Sequence, residues 1–287
     1  MPSLRLLRRR IRSIENTAKV THAMEMIAAS KMRRAQGAVL AGRPYAEMIQ
    51  RVIGNLVAQP WETEHGHSLM VRRPVERIGL LQLSPDRGLC GGLHGNLNRA
   101  VGDFILEKQP TPVRSIAVGR KGRDFLVRTG QDVKAVFTNL SDRAPMAELL
   151  PVSQLLLNDY VHGNTDEVYL AYPQFISTVS QKPQITRLLP VEPALLAADA
   201  RVGYIYEPNP GVVLDSLLPR FVEMQIYHAF LELNASEQSA RMVAMRNASD
   251  SADEMVDDLT LELNKVRQDS ITNELLDIIG GVVALEG

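Results

Sequence analysis

A cysteine set among glycines is the strongest candidate for covalent chemistry in this sequence. Residues 88–92 read Gly-Leu-Cys-Gly-Gly, the spacing of a nucleophile elbow with Cys90 in place of serine, between a predicted strand and a predicted helix. A triad would also need an acid and then a histidine downstream, such as Asp103 and His162. No motif supports these two residues, so a Gly-rich turn with a small buried cysteine is favoured. A Cys-nucleophile hydrolase remains as the weaker alternative.

Other ligand sites have less support in the residue pattern. The glycines at 88–92 fit neither G-x-G-x-x-G nor a P-loop, so we expect an ordinary turn and no bound nucleotide. His65 and His67 could suggest a metal, but a solvated loop is favoured. The basic residues from Arg5 to Arg12 could contact nucleic acid, yet an acidic segment of the same chain accounts for their charge. We therefore expect no catalytic residue, no cofactor, no metal and no nucleic acid.

Composition indicates a folded protein rich in helices. The chain has 287 residues, of which 45% are apolar, 23% charged and only 5% aromatic, with a formal net charge of −1. Its single cysteine excludes an internal disulfide and fits a reducing compartment. No apolar run reaches the roughly 18 residues that a membrane-spanning helix needs.

The N-terminal segment predicts one long helix over residues 3–57. Apolar and small residues recur at alternating spacings of three and four, which is a heptad seam sustained over about eight repeats. Val20, Met24 and Ile27 offer a parallel stripe, so the seam could shift locally. Pro44 should kink or divide this helix. The seam comprises Leu4, Leu7, Ile11, Ile14, Ala18, Thr21, Glu25, Ala28, Met32, Ala35, Val39, Gly42, Ala46, Ile49, Ile53 and Leu56.

The C-terminal segment predicts a second long helix, over 219–286, with Pro219 at its first position and no internal proline. Its seam keeps the same spacing to Val266 and then jumps by five residues to Ile271. Between the two helices, strands alternate with helices, which indicates an α/β fold with a Rossmann-like, mostly parallel sheet of about five strands. We thus expect three domains: residues 1–58 and 212–287 as paired coiled-coil helices, and residues 74–206 as a central α/β head.

Charge indicates that the two terminal helices pair with each other. Residues 1–34 hold nine basic and two acidic residues, and residues 246–287 hold three basic and ten acidic residues. Two copies of either segment would repel, whereas one of each attracts, which favours an antiparallel intramolecular pair.

Length then predicts an apolar overhang at the C-terminal end. The first helix should span roughly 80 Å and the second roughly 100 Å, so the stretch Leu275–Leu285 should extend beyond its partner. Its apolar residues fall on nearly every face, and such an end must be buried. It could fold back on the chain's own head or enter a socket in another protein.

Several motifs in series resemble the gamma subunits of F-type ATP synthases. They are Arg8–Arg9–Arg10–Ile11–Arg12–Ser13, Ala23–Met24–Glu25–Met26, Ala28–Ala29–Ser30–Lys31–Met32, Asp86–Arg87–Gly88–Leu89–Cys90–Gly91–Gly92, Gly119–Arg120–Lys121–Gly122, Ala240–Arg241–Met242–Val243–Ala244–Met245 and Asn264–Lys265–Val266–Arg267–Gln268–Asp269–Ser270–Ile271–Thr272–Asn273–Glu274–Leu275. The match covers nearly the whole chain in the family's order.

The resemblance implies a non-catalytic rotor shaft. Its partners would be the alpha and beta subunits of a hexameric ring, the epsilon subunit and the membrane c ring, with ATP chemistry on the beta subunits. It implies ring contacts at Met24, Arg267, Gln268, Thr272, Glu274, Leu275, Ile278 and Val282, and c-ring or epsilon contacts at Tyr206 and Glu207. We expect the cytoplasmic face of a bacterial plasma membrane. A static coiled-coil adaptor is the alternative without rotation.

Overall fold

The computed structural model describes residues 3–57, 67–192, 206–207 and 209–286. The predicted loop from 61 to 73 therefore lies partly outside the described residues. His65 lies in the part that is not described. In chain order the elements are α1 (Leu4–Val57), β1 (Ile78–Leu83), α2 (Leu93–Glu107), β2 (Val113–Val118), α3 (Arg120–Arg128), β3 (Asp132–Phe137), α4 (Met146–Val161), β4 (Glu167–Phe175), β5 (Gln181–Leu189) and α5 (Pro210–Glu286).

The five strands form one sheet in the order β3-β2-β1-β4-β5. β1 pairs in parallel with β2 and with β4, β2 pairs in parallel with β3, and β5 runs antiparallel to β4. The central strand β1 is buried at all six positions, as expected for a parallel strand covered on both faces. The prediction of a mostly parallel sheet of about five strands in an α/β fold is therefore confirmed.

Helices cover both faces of the sheet. α2 presents an apolar stripe at i, i+4 spacing, and its residues Leu97, Val101 and Ile105 form one core cluster with Leu80 of β1. The other face carries the larger core cluster, in which α4 packs beside parts of α1 and α5. The same face buries Tyr160 of α4, whose hydroxyl donates to the carbonyl of Val71 at 3.0 Å.

The chain divides into two compact units. One unit contains residues 1–28 and 242–287, and the other contains residues 29–241. The sequence-based domain limits at residues 58, 74, 206 and 212 stay a prediction.

In the unit formed by 1–28 and 242–287, α1 and α5 run antiparallel. Arg246 Nε donates to Glu25 Oε1 at 2.8 Å, and Ser249 Oγ donates to the carbonyl of Ala18 at 3.3 Å. Residue numbers thus rise along α5 as they fall along α1. The predicted seam is buried or half-buried, and Glu25 is only 9% exposed. The antiparallel pairing is therefore confirmed.

The local shift of the seam toward Val20, Met24 and Ile27 does not occur. Val20 and Ile27 are exposed and Met24 is only half-buried, whereas the polar residue Glu25 stays in the seam. The ion pair with Arg246 explains this choice, because it satisfies the nearly buried Glu25 carboxylate, whose other oxygen lies 3.4 Å from His22 Nδ1.

In the unit formed by 29–241, the same two helices also pack together and against the sheet. Ile49 and Ile53 of α1 share the large core cluster with Leu218 and Val222 of α5. Within this unit, α1 and α5 thus pack on the same face of the sheet and share one core.

The two expectations about prolines have different outcomes. α1 continues through Pro44, so the helix is not divided there, and a kink at Pro44 stays a prediction. The expectation for the second helix is wrong. α5 begins at Pro210 and not at Pro219, which therefore lies inside the helix. A proline inside a helix costs about 3 kcal/mol or more. Burial of Leu214 and Leu218 against the core offsets that cost and extends α5 toward the N-terminus.

No helix within the described residues is sufficiently long and apolar to span a membrane.

Candidate functional site at the end of the paired helices

The C-terminal part of α5 presents an exposed apolar surface. Leu275 is 54% exposed and Ile278 is 64% exposed, and Leu276, Ile279 and Ile271 are similarly accessible. At about 100° per residue these five side chains lie within an arc of about 160°. The described apolar side chains thus cover about half of the helix circumference. The expectation of apolar residues on nearly every face also includes Val282, Val283 and Leu285, whose side chains lie outside the described residues, so it stays a prediction.

The predicted polar contact residues lie on or beside this arc. Gln268 and Thr272 fall within it on the helical wheel, and Arg267 and Glu274 fall at its border. All four are exposed. Thr272 Oγ1 donates to the carbonyl of Gln268 at 3.0 Å, and Ser270 Oγ donates weakly to Glu274 at 3.5 Å. We name the stretch from Arg267 to Ile279 the terminal surface. The side chain of Val282 lies outside the described residues.

The other predicted contact residues differ in accessibility. Met24 lies half-buried on α1, next to the ion pair of Glu25 with Arg246. Glu207 is exposed, whereas Tyr206 is half-buried and packs against the large core cluster. A partner that reaches this segment would therefore contact the Glu207 carboxylate more readily than the tyrosine ring.

Cys90 lies in the predicted turn after β1, but its surroundings do not activate it. The thiol is buried, and Sγ lies 3.8 Å from the carbonyl oxygen of Arg87 and 3.7 Å from His94 Nδ1. Burial and, to a lesser degree, the carboxylate of Glu237 raise the pKa of Cys90. A nucleophilic cysteine needs the opposite shift and access to substrate.

The predicted triad is not assembled. Cys90 follows β1 at the carboxyl edge of the sheet, whereas His162 precedes β4 at the amino edge, and its Nδ1 contacts the carbonyl of Asn158 at 2.7 Å. Asp103 is exposed on α2. The histidine beside the thiol is instead His94, which the sequence analysis missed. The spacing of four residues at the start of a helix was the signal that could have found it.

The carboxyl edge of the sheet is occupied by the chain's own side chains. Open α/β sheets bind ligands at this edge, where the strand order reverses. Here the order reverses between β1 and β4. Arg241 of α5 donates to the carbonyl of Gly88 at 3.2 Å, and Ser236 donates to the carbonyl of Pro173 at 2.9 Å. The Asp86 carboxylate accepts the backbone N–H groups of Arg120 and Asn139 at 3.0 and 2.8 Å.

A buried ion pair supports this closed edge. Glu237 lies one helical turn before Arg241 on α5, and its carboxylate accepts from the guanidinium at 2.7 Å. Burial raises the pKa of Glu237, although Arg241 opposes the shift. The same Arg241 nitrogen also donates to the carbonyl of Gly88, so the pair anchors the Gly-rich turn. Within the described residues, no cluster of three or more metal-ligating side chains occurs.

Comparison with known proteins decides which family these features belong to. A family model described as ATP synthase matches residues 3–285. The ATP synthase gamma chain of Dehalococcoides mccartyi strain CBDB1 is 55% identical over 285 residues, which cover 99% of this chain and all of that protein. The chain belongs to the ATP synthase gamma chain family. The gamma chain of Roseiflexus sp. strain RS-1 is 49% identical and covers 99% of each chain.

Solved structures share the gamma-chain fold. A chain of the Euglena gracilis mitochondrial ATP synthase, in a structure of its OSCP, F1 and c ring, matches 98% of this chain and 94% of its own length, with a TM-score of 0.68 and 18% identity. A chain of the Tetrahymena thermophila central stalk and c ring covers 80% of this chain and 99% of its own length, with a TM-score of 0.62 and 23% identity.

Membership in this family confirms the resemblance stated from the sequence. A gamma chain is a non-catalytic subunit of a membrane-associated ATP synthase, and the catalytic sites lie on the beta subunits. The buried, unactivated Cys90 agrees with that role. Placement of individual contact residues is not decided by family membership, so the roles of the terminal surface, Met24, Tyr206 and Glu207 stay predictions.

Proposed function

We propose that this chain is the central rotor shaft of the F1 sector of an ATP synthase at the cytoplasmic face of a bacterial plasma membrane. It couples ion flow through the c ring to ATP synthesis or hydrolysis on the beta subunits of an alpha/beta ring. One observation carries the proposal: a chain of this family pairs its two terminal helices and leaves an apolar surface exposed at the end of α5.

The terminal surface suits a shaft that turns inside a sleeve. Hydrophobic contact is non-directional, so Leu275 and Ile278 can keep apolar contact with a ring while the helix changes its orientation. Polar contacts from Arg267, Gln268, Thr272 and Glu274 depend on orientation, because hydrogen bonds are directional. They would therefore differ among the beta subunits. Met24 and, farther toward the end, Val282 complete the proposed ring contacts.

The head would meet the remaining partners. We assign Tyr206 and Glu207 to contacts with the c ring or the epsilon subunit, with the exposed Glu207 carboxylate as the more accessible group. The closed carboxyl edge supports a role without bound nucleotide, because Arg241 and Asp86 already use the groups that a ligand would need.

The experiment compares coupling with folding in one double variant. Arg267→Ala with Gln268→Ala removes two exposed polar groups, so the isolated chain should unfold at the same urea concentration as the wild type. Loss of two interfacial contacts of about 1–2 kcal/mol each should lower ion-coupled ATPase activity of the reconstituted complex at least about tenfold.

Arg128→Ala is the matched control, since Arg128 is an exposed arginine at the end of α3. That variant should retain full coupled activity. Normal coupled turnover of the double variant would refute the assigned contacts. A complex that hydrolyses ATP equally well without this chain would refute the shaft role itself and favour a static adaptor.

A further inference from the structure

A cleft of about 560 Å³ lies within the unit formed by residues 29–241. Its walls come from α1, from α5 and from the loop between β3 and α4. This volume falls in the range of small-molecule sites, about 300–1,000 Å³. The proposed shaft function makes no use of this cleft.

Positive charge dominates the lining. Lys31, Arg34 and Arg143 line the cleft together with one acid, Asp142. Lys31 Nζ pairs with Asp142 Oδ2 at 2.5 Å, so that acid is already neutralised. Among the described residues, neither Arg34 nor Arg143 forms an ion pair with a carboxylate. Two guanidinium groups thus remain available, and guanidinium is the side chain that best matches phosphate or carboxylate.

An apolar wall and buried amides accompany these charges. Leu231 and Ala35 belong to a small apolar cluster, and Tyr227 packs against it. Gln238 lines the cleft with only 3% of its surface exposed. An amide on the wall of a cleft can donate and accept hydrogen bonds, so it can bind a polar atom of a ligand.

We propose that this cleft binds a small amphipathic anion, in which a phosphate or carboxylate contacts Arg34 and Arg143 and an apolar body lies against Tyr227 and Leu231. Gln238 would bind a polar atom of the ligand inside the cleft. A concave site with an apolar wall and few convergent polar groups is the usual form of a small-molecule site.

The test is isothermal titration calorimetry of the full-length chain with phenyl phosphate. We expect one binding site, weakened at least about tenfold in Arg143→Gln, which corresponds to about 1.4 kcal/mol. Gln238→Leu should weaken binding as well while keeping the side-chain volume. Inorganic phosphate should bind at least about tenfold more weakly than phenyl phosphate, because it lacks the apolar body.

Arg99→Gln is the control, since Arg99 is exposed on α2 and the substitution removes the same charge. It should bind phenyl phosphate as the wild type does. Absence of binding to the wild type would overturn the proposal, and so would equal losses in Arg99→Gln and Arg143→Gln. Binding of a polyglutamate peptide in place of phenyl phosphate would identify the cleft as a protein-docking surface instead. The shaft function stands whatever this titration shows.

Discussion

Replacing Leu275 and Ile278 with glutamine tests whether the terminal surface docks into another protein. Full burial of a leucine or isoleucine side chain contributes about 1.5–3 kcal/mol. The two side chains are 54% and 64% exposed in the free chain, so roughly half of that gain remains to be made on docking. The double variant should therefore lose about 2–3 kcal/mol of docking free energy, or about 30- to 150-fold in the dissociation constant.

Two measurements on the same protein separate docking from folding. The affinity of the purified chain for an alpha/beta ring should fall by that factor, whereas the urea midpoint of the isolated chain should stay close to the wild-type value. Leu106→Gln is the control, because Leu106 is equally exposed, at 64%, on α2. Its affinity for the ring should be unchanged.

Either of two results would refute the reasoning. A marked fall in the urea midpoint of the double variant would mean that the terminal surface packs within the isolated chain. An unchanged affinity for the ring would mean that the apolar surface is not the docking element, and another part of α5 would have to hold the shaft.

Three further predictions concern the head and its surroundings. Gly119→Ala should destabilise the chain by several kcal/mol, because its Cβ would lie 1.9 Å from the backbone oxygen of Ser84, whereas Gly130→Ala, at a similar positive φ but in open space, should cost only about 1–2 kcal/mol in urea unfolding. Equal costs would contradict the steric explanation. Burial lowers the pKa of His67, so the unfolded chain takes up a proton first as the pH falls below about 6.5, and stability is lost on acidification. His67→Gln should shrink the difference between urea midpoints at about pH 7.5 and pH 5.5, and an unchanged difference would exclude this histidine as the cause. The buried Cys90 thiol has a raised pKa and should react with a disulfide reagent at least about tenfold more slowly in the native chain than in urea, and comparable rates would show that it is accessible.

The sequence was sufficient for features that depend on a repeated local pattern. The seam of α1 was predicted residue by residue, and positions such as Ala18, Ala28 and Ile53 are buried as expected. The sequence also predicts a strand over Val113–Val118 and a helix over Arg120–Arg128, and β2 and α3 have these limits. These elements have strong periodicity or clear end signals, so neighbouring structure did not need to be known.

Errors arose where tertiary contacts overrode a local signal. Pro219 was predicted as the first residue of the second helix, but burial of Leu214 and Leu218 extends α5 back to Pro210. The sequence predicts strands over Val168–Tyr172 and Gln184–Leu189, but β4 and β5 are longer because they pair as an antiparallel hairpin up to Phe175 and Gln181. Neither a core contact nor a strand partner is visible in a local window of residues.

The charge argument predicted the right pairing for a reason that the structure only partly supports. Among the described residues, the one close ion pair between α1 and α5 in the unit formed by 1–28 and 242–287 joins Glu25 and Arg246. It joins an acid of the basic segment to a base of the acidic segment. Most other charges in the described part of these two segments are exposed, where single pairs contribute about 0–1 kcal/mol and salt screens them. Packing along the seam therefore holds the helices together, and net charge acts against pairing of like segments.

The carboxyl edge of the sheet, where this kind of fold often binds ligands, here binds a helix of the same chain. Three hydrogen bonds join α5 to this edge. The N–H of Phe175 donates to Glu232 of α5, and from α5 Ser239 donates to the carbonyl of Thr178 and Arg241 to the carbonyl of Gly88. Each bond satisfies a backbone group that a ligand would bind in an open site. A ligand would have to break several of these bonds at about 0.5–1.5 kcal/mol each, before any gain of its own. The hydrogen bonds that a ligand would have to break at this edge are the same bonds that hold α5 in place. A helix held in this way suits a part that must transmit force.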